Sequence, residues 1–415
     1  MKPSGSVYIK SPFFTAVPNG NTVKLKHVVT QRDVVVPPGV LALLEELKEG
    51  KPREDIIREL CALSGRANEE ESFSRLETVG LLLPTDYYLR NHFIVPAAHS
   101  IFGLAPATPA ARNKLVFLGI PFCGGNGLHR GCATFPSEVR RTTNGLDLSS
   151  DSETISMAPI DGTVTDAGLH RLLLADKIVD AGDLFINAFE DREVVFANIR
   201  SMIRTILENG NLPVVLGGDH SIAYPIIQTF TERFGNIQII QFDAHTDCYN
   251  NASHISQANT NIIHHGNFMG ELLKSDRIAA VVQIGIRGQV NLRQFKRAHA
   301  RQTVYAANEV PRLLQESVRL NIDPLLPTYI TFDIDFIDPA FAPGTSTPVP
   351  GGPTVQETVA LLRKVVEPLR HVIGADFVEV NSTLDKANAS VAIAAELILT
   401  LINSIHDPTT GDQPK

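Results

Sequence analysis

The feature that most restricts this chain is a short apolar run ending in acids and a histidine. Ile237-Gln238-Ile239-Ile240-Gln241-Phe242 leads directly into Asp243-Ala244-His245-Thr246-Asp247. A short run rich in isoleucine predicts a buried strand. Side chains alternate along a strand, so Asp243, His245 and Asp247 would share one side if the extension continued. Carboxylates and an imidazole converging at one strand end suit a divalent metal. The competing reading is a buried histidine satisfied by two capping carboxylates.

Two further stretches repeat the pattern. Leu212-Pro213-Val214-Val215-Leu216 runs into Gly217-Gly218-Asp219-His220-Ser221. Tyr329-Ile330-Thr331-Phe332 runs into Asp333-Ile334-Asp335, with Asp338-Pro339 and Ala342-Pro343-Gly344-Thr345 beyond. Sites in open α/β sheets form beyond the carboxyl ends of the strands. Three such ends, bringing His220, His245, Asp243, Asp247, Asp333 and Asp335, predict a two-metal cluster.

The rest of the chain supplies a sheet to carry that cluster. Strands are predicted at 114–119, 178–183, 212–216, 237–242, 280–285, 328–332 and 371–377. Helices are predicted at 193–207, 222–231, 354–366 and 389–405. Such alternation predicts a parallel sheet covered on both faces, a three-layer α/β/α domain over 113–405. Residues 406–415 read as a tail. With 415 residues, 43% of them hydrophobic, there is room for this domain and a smaller one.

Residues 1–95 form the smaller unit. Val7-Tyr8-Ile9, Val23 to Val29 and Asp33 to Val36 read as strands, with a turn at Pro18-Asn19-Gly20-Asn21. Three amphipathic helices follow, at 39–48, 54–63 and 70–81. This pattern predicts an α+β, winged-helix-like unit. Residues 96–112, rich in alanine and proline, read as a linker.

Composition excludes some function classes. A net charge of −8 leaves no basic footprint for nucleic acid. The start lacks a signal-peptide pattern, and no run is long enough to span a membrane. The four cysteines, Cys61, Cys123, Cys132 and Cys248, show no tight pairing pattern. Together these predict a cytoplasmic protein in a reducing compartment.

With the three strand ends in view, residues 113–405 resemble the arginase/agmatinase (ureohydrolase) family. Gly119-Ile120-Pro121-Phe122, Gln283-Ile284-Gly285-Ile286-Arg287 and Asp376-Phe377-Val378-Glu379-Val380 add to the match. The resemblance implies trimers or hexamers and a binuclear manganese centre with two Mn²⁺ per chain. It implies that His220, Asp243, Asp247 and Asp333 hold one Mn²⁺. His245 and Asp335, with the shared Asp243 and Asp333, would hold the other. Two metals about 3.5–4 Å apart lower the pKa of a shared water, which a weakly electrophilic guanidinium requires. A carboxylate-rich ligand set favours manganese over zinc. The same resemblance gives Glu379 the substrate guanidinium and His265 the proton for the leaving amine. His264 is its neighbour and competitor. Asp247 is implied to bond the attacking oxygen as well. Asp180, Asp183, Asp219 and Asp338 read as structural.

The departures concern substrate. Enzymes for free arginine place an asparagine two positions after the last aspartate of the first motif, and here that position is Tyr249. Tyr249 and Asn250 are the candidate substrate contacts. They open a polar segment that reads as a recognition loop. The amino-terminal unit resembles the PqqD-like leader-binding domains of ribosomal-peptide biosynthesis. The layout as a whole is similar to peptide arginases, which implies arginine side chains of a leader-bearing precursor peptide as substrate, converted to ornithine with release of urea. The alternative is an agmatinase, or another small guanidino-compound hydrolase, with an accessory domain.

Overall fold

The computed structural model describes residues 7–10, 14–27, 33–47, 50–66, 69–79, 81–84, 94–106, 111–126, 129–144, 172–173, 175–186, 192–249, 262–289 and 300–405. The chain divides into two compact units, Met1–Val95 and Pro96–Lys415.

In the smaller unit, strands Phe14–Asn19, Thr22–His27 and Asp33–Val36 form an antiparallel sheet with Thr22–His27 in the middle. The sequence reading made Val7–Ile9 the partner across the turn. The partner is instead Phe14–Asn19, whose Pro18 is tolerated because the strand lies at an edge. Val7–Lys10 pairs with Lys51–Pro52 and Leu82–Pro84 in a second small sheet. Helices Pro38–Glu46, Arg53–Ser64 and Glu70–Thr78 follow. Pro38 suits the first helical turn, where its missing N–H is no loss. Gly65 ends the second helix in the left-handed conformation that glycine adopts without strain. Tyr8, Leu25, Leu44, Ile56 and Phe73 are buried together, with the Tyr8 and Phe73 rings edge to face at 5.0 Å.

The larger unit is built on eight parallel strands. In sheet order they are Gln302–Ala306, Ile278–Ile286, Ile237–Phe242, Thr328–Asp333, Val372–Val378, Leu212–Leu216, Leu115–Gly119 and Ile178–Leu184. The central strands are apolar on both faces, as burial on both sides requires. One face packs Phe117, Val214, Ile240, Ile330 and Ala375 with Leu361, Leu362, Leu397 and Leu401 of helices Val355–Val366 and Ala389–Ser404. The other face meets helix Ala223–Phe234, where Phe230 lies 5.0 Å from Tyr329 between ring centroids. Helix Arg192–Glu208 packs on that same helix. The architecture is thus the three-layer α/β/α sandwich expected. Strand Gln302–Ala306 and helix Phe135–Thr143 were not foreseen.

Chain order explains where a crevice opens. The chain passes from Leu212–Leu216 to Ile237–Phe242, and Thr328–Asp333 and Val372–Val378 later fill the two places between them. Connections therefore leave in opposite directions around these four strands, which leaves room at their carboxyl ends.

The stretch expected as a linker is partly core. Ile101, Phe102 and Leu104 are buried in the larger unit, and the Ile101 amide donates to Asp180 at 2.9 Å. Three apolar residues among the alanines and prolines outweigh the linker composition. The cysteines differ as well. Cys123 and Cys132 are joined by a disulfide, whereas Cys61 and Cys248 are free. Among the described residues, no helix is long and apolar enough to cross a membrane.

Asp180 and Asp183 close a buried ion cluster. Arg140, only 1% exposed, donates from Nε and Nη2 to Asp180 at 2.8 and 2.9 Å and pairs with Asp183 through Nη1. Removing one partner of such a cluster strands the other charges without solvent. Arg140→Met should therefore lower unfolding stability by about 3–5 kcal/mol, read by urea denaturation with the metal content held constant.

Candidate metal centre

Four neighbouring strands each deliver a side chain to the crevice. Strand Leu212–Leu216 ends at Gly217-Gly218, and the chain turns there so tightly that a Cβ on Gly218 would lie 1.8 Å from the Phe122 carbonyl oxygen. The turn presents Asp219 and His220. Asp219 caps the following 3₁₀ turn by accepting from the Ser221 amide, and it accepts from the Gly125 and Asn126 amides at 2.6 and 3.1 Å. Asp219 thus holds the loop 123–126 against the strand ends.

Strand Ile237–Phe242 does not continue as the sequence reading assumed. Extension stops at Phe242, and Asp247 adopts a left-handed backbone with φ of 49°. The three motif side chains consequently diverge. Asp243 sits centrally, His245 faces Asp335, and Asp247 faces His220. Two sets of side chains have ligand atoms within 4.8 Å of one another, His220–Asp243–Asp333 and Asp243–His245–Asp335. Asp243 is common to both. Asp247 adjoins the first set through His220, with Oδ2 at 3.0 Å from Nδ1. Asp333 belongs to the first set and was expected in both.

The protonation pattern around His220 shows what the first set is suited to hold. Thr331 Oγ1 donates to Asp376 Oδ1 at 2.6 Å, and a carboxylate cannot return a proton. The hydroxyl therefore accepts from His220 Nε2–H at 2.8 Å. This assigns the lone pair of a neutral ring to Nδ1, which is buried without a hydrogen-bond partner. That atom faces Asp243 Oδ2, Asp247 Oδ2 and Asp333 Oδ2 at 3.2, 3.0 and 3.4 Å. A lone pair aimed at three carboxylate oxygens is repulsive unless a cation lies between them, so the donor set fits a divalent metal.

The electrostatics point the same way. Burial pushes Asp247 up to about 7, with the charge of Asp243 adding to it. Burial, then Asp335 and Asp243, hold Asp333 well above the usual carboxylate range. Asp243 is held low, because the two histidines outweigh its burial. Burial would lower His220 and His245, but without a metal the carboxylates outweigh it and raise both, so a proton takes the place on His220 Nδ1 that a metal would hold. The cluster as a whole demands positive charge.

Beside it lies a second group. Glu379 follows strand Val372–Val378 with a left-handed backbone, φ of 60°, a strained conformation for a non-glycine residue. Its amide donates to the Gly218 carbonyl at 2.9 Å. Its carboxylate accepts from the His220 amide at 3.0 Å and from Asn126 Nδ2 at 3.4 Å, and Oε1 lies 3.3 Å from His265 Nδ1. These partners outweigh burial and keep Glu379 anionic, with His265 the largest of them. Burial lowers His265, but Glu379 overcomes it and lifts the ring to about 9. The neighbouring His264 points elsewhere, since its Nδ1 accepts from the Gly266 amide at 3.1 Å. Tyr249 is half-buried beside this loop, with its amide on the Gly266 carbonyl at 2.9 Å. Asn250 lies outside the described residues.

The comparisons with known proteins agree with this geometry. The Arginase family model matches residues 113–403. The chain belongs to the arginase family. An agmatinase of Sodalis glossinidius is 31% identical over 292 residues, covering 69% of this chain and 85% of that protein. The proclavaminate amidino hydrolase of Streptomyces clavuligerus superposes with a TM-score of 0.61 at 27% identity, over 77% of this chain and 99% of its own. A hypothetical agmatinase of Burkholderia thailandensis gives 0.58 at 28% identity, over 72% and 87%. Arginase-family amidinohydrolases are binuclear manganese enzymes, and this chain is an amidinohydrolase of that family that hydrolyses guanidino groups.

Sequence reasoning assigned no part to Thr331, Asn126 or Gln241. Thr331 reads as one more strand residue, and Asn126 sits in a glycine-rich loop outside the three strand-end motifs. Only their contacts reveal them. Thr331→Val removes the acceptor that holds His220 in its ligating tautomer. It should weaken Mn²⁺ binding by about 10–100-fold, measured by titrating metal-free protein with Mn²⁺.

Proposed function

We propose that this arginase-family enzyme hydrolyses the guanidino group of a small, agmatine-like compound to an amine and urea. Two Mn²⁺ per chain, held by His220, Asp243, His245, Asp247, Asp333 and Asp335, would serve the reaction. The observation that carries the reading is the pairing of the aspartate–histidine cluster with an anionic, buried Glu379 beside His265. Agmatinase relatives at 30% identity and above support the substrate class.

The chemistry follows from the residues. Bound divalent metal supplies an activated water at neutral pH. Glu379 pairs with the substrate guanidinium and turns its carbon toward the metal cluster. Asn126 and the His220 amide fix the carboxylate in that role. Water oxygen adds to the guanidino carbon, the bond to the alkyl nitrogen breaks, and the two protons of the water leave to solvent as the urea carbonyl forms. His265 gives that nitrogen its proton, so the products are urea and the free amine. Asp247, beside His220, accepts a hydrogen bond from the attacking oxygen. The family's habit of oligomerisation extends to this chain as a further expectation.

A second reading keeps the reaction and changes the substrate to arginine side chains of a ribosomally made precursor peptide. One observation favours it. In the amino-terminal unit, strand Asp33–Val36 ends the order of its three-stranded sheet and borders a cleft of about 730 Å³. Val34, Val36, Leu60, Leu63, Leu76 and Val79 give the cleft an apolar lining. Edge strands beside apolar pockets accept extended peptides as an added strand, with alternate side chains in the pockets. A leader segment docked there would raise the local concentration of its arginine without new chemistry.

Two measurements test these readings. His265→Asn should lower kcat while Mn²⁺ content stays unchanged, and His264→Asn should act more weakly. Because Glu379 raises His265 to about 9, the donor form is fully populated at neutral pH and is lost as pH rises through about 9. Wild-type kcat/KM, which reports the free enzyme, should fall over that window, and an unchanged profile in His265→Asn would assign the proton to another group. The second measurement compares agmatine with a leader-bearing peptide on the manganese-loaded full chain. Efficient agmatine turnover, untouched by Leu63→Arg in the exposed cleft wall, supports the small substrate. Turnover of the peptide alone, with KM raised by Leu63→Arg, supports the second reading.

A further inference from the structure

Three glutamines on three adjacent parallel strands form a continuous chain of side-chain amides that ends on the aspartates of the metal cluster. Gln241, on strand Ile237–Phe242, donates from Nε2 to Asp243 Oδ2 at 2.6 Å and to Asp247 Oδ2 at 3.3 Å. Its register partner Gln283, on strand Ile278–Ile286, donates to Gln241 Oε1 at 2.6 Å and to the Thr246 carbonyl at 2.7 Å. Gln302, at the start of the outermost strand, donates to Gln283 Oε1 at 2.5 Å and lies 3.7 Å from Cys248 Sγ. Gln241 and Gln283 are fully buried, and Gln302 is half-buried.

The direction of the chain is dictated by its end. An ionised carboxylate only accepts, so Gln241 must turn its NH₂ toward Asp243. Its carbonyl oxygen then faces Gln283, which must donate in turn, and so on to Gln302. No amide in the row can flip without placing two acceptors or two donors face to face in a buried site.

We propose that Gln241, Gln283 and Gln302 are positioning residues that fix Asp243 and Asp247 for metal binding while leaving their charge intact. The proposal rests on the metal reading given above. A lysine or arginine at position 241 would satisfy the same oxygens and cancel the charge that a metal needs. A carboxamide orients them and stays neutral. Gln283 also ties the Thr246 carbonyl, and so limits how far Asp247 can swing from the left-handed bend that points it at His220. Packing alone explains apolar residues at 241 and 283 equally well, but not three polar side chains aligned in one direction.

The test uses metal-free full-length protein titrated with Mn²⁺, with free Mn²⁺ read by electron paramagnetic resonance, and thermal melting of the same metal-free samples. Gln241→Leu should raise the dissociation constant by about 10–100-fold. Gln283→Leu should raise it less and Gln302→Leu least, in order of distance from Asp243. Should Gln241→Leu fail to fold, Gln283→Leu and Gln302→Leu carry the comparison, because the expected grading persists between them. A merely structural role would lower the melting temperature and leave the dissociation constants at the wild-type value, which would overturn the proposal. Wild-type protein that binds no Mn²⁺ would overturn the metal reading itself, and the relay would fall with it. Wild-type binding with unchanged constants in folded variants defeats the relay alone.

Discussion

The structure depends on uncompensated negative charge buried at the carboxyl edge of the sheet. Asp243, Asp247, Asp333 and Asp335 are all at most 5% exposed. Among the described residues, their ion pairs are with His220 and His245 alone. The same sheet holds a second carboxylate group, buried Asp180 and half-buried Asp183, and the contrast is instructive. There Arg140 supplies a permanent cation, and the cluster is closed. At the other site Arg287 is close by, but it directs its donors to the carbonyls of Gly285, Asp335, Phe336, Ile337 and Val349. Burying four carboxylates against two imidazoles is costly, so the site either takes up protons, as the raised Asp247 and Asp333 do, or gains a cation. One carboxylate group is a structural clamp and the other a candidate ion site. The difference lies in whether the chain brings its own positive charge.

The crevice that receives that charge comes from topology rather than from any single residue. Four neighbouring strands deliver His220, Asp243, Asp333 and Glu379 at their ends, although these residues are far apart in sequence. Rigid strands fix where each backbone stops. The turns beyond must then be tight, which is why Gly218 is pressed on Phe122 and why Asp247 and Glu379 accept left-handed backbones. Strain of that kind persists only where surrounding bonds over-determine it. Here those bonds are the Glu379 amide on Gly218 and the Asp247 carbonyl under the Gly270 amide.

Much of this was legible in the sequence, for identifiable reasons. The parallel sheet could be read because its strands are apolar on both faces, and 212–216, 237–242 and 328–332 stand out from any background. The candidate metal residues could be singled out because they follow those runs directly. The geometry of the motif could not. Three alternating residues suggested one shared side, yet the bend at Asp247 sends its carboxylate to His220 and leaves His245 to Asp335. Strand Gln302–Ala306 was missed because it is half-exposed along its length and carries no apolar run. Phe14–Asn19 was missed because Pro18 and Asn19 were read as part of the turn, whereas an edge strand tolerates the proline. The Cys123–Cys132 bond and the bonds of Thr331, Asn126 and the glutamines join residues whose spacing announces nothing. They are tertiary facts, and no local pattern encodes them.

The strand ends also explain why family membership determines the reaction more firmly than the substrate. In the proposed reaction everything attached to those ends acts on the guanidino pole: the candidate metal ligands, Glu379, and His265 beside it. That pole is the same in agmatine and in an arginine side chain. Discrimination must come from whatever meets the rest of the molecule, and that lies in loops and added units. Tyr249 marks where the chain leaves the shared machinery, pinned to Gly266 in the same loop that carries His265. A change of the Tyr249 side chain can therefore alter what binds while His265, the proposed proton donor, keeps its place. Binding energy from remote contacts raises kcat only when it is realised more fully in the transition state. Contacts confined to a separate amino-terminal unit are the same before and during reaction, so they act on KM. The split between kcat and KM across substrates is thus a physical map of which unit reads which part of the substrate.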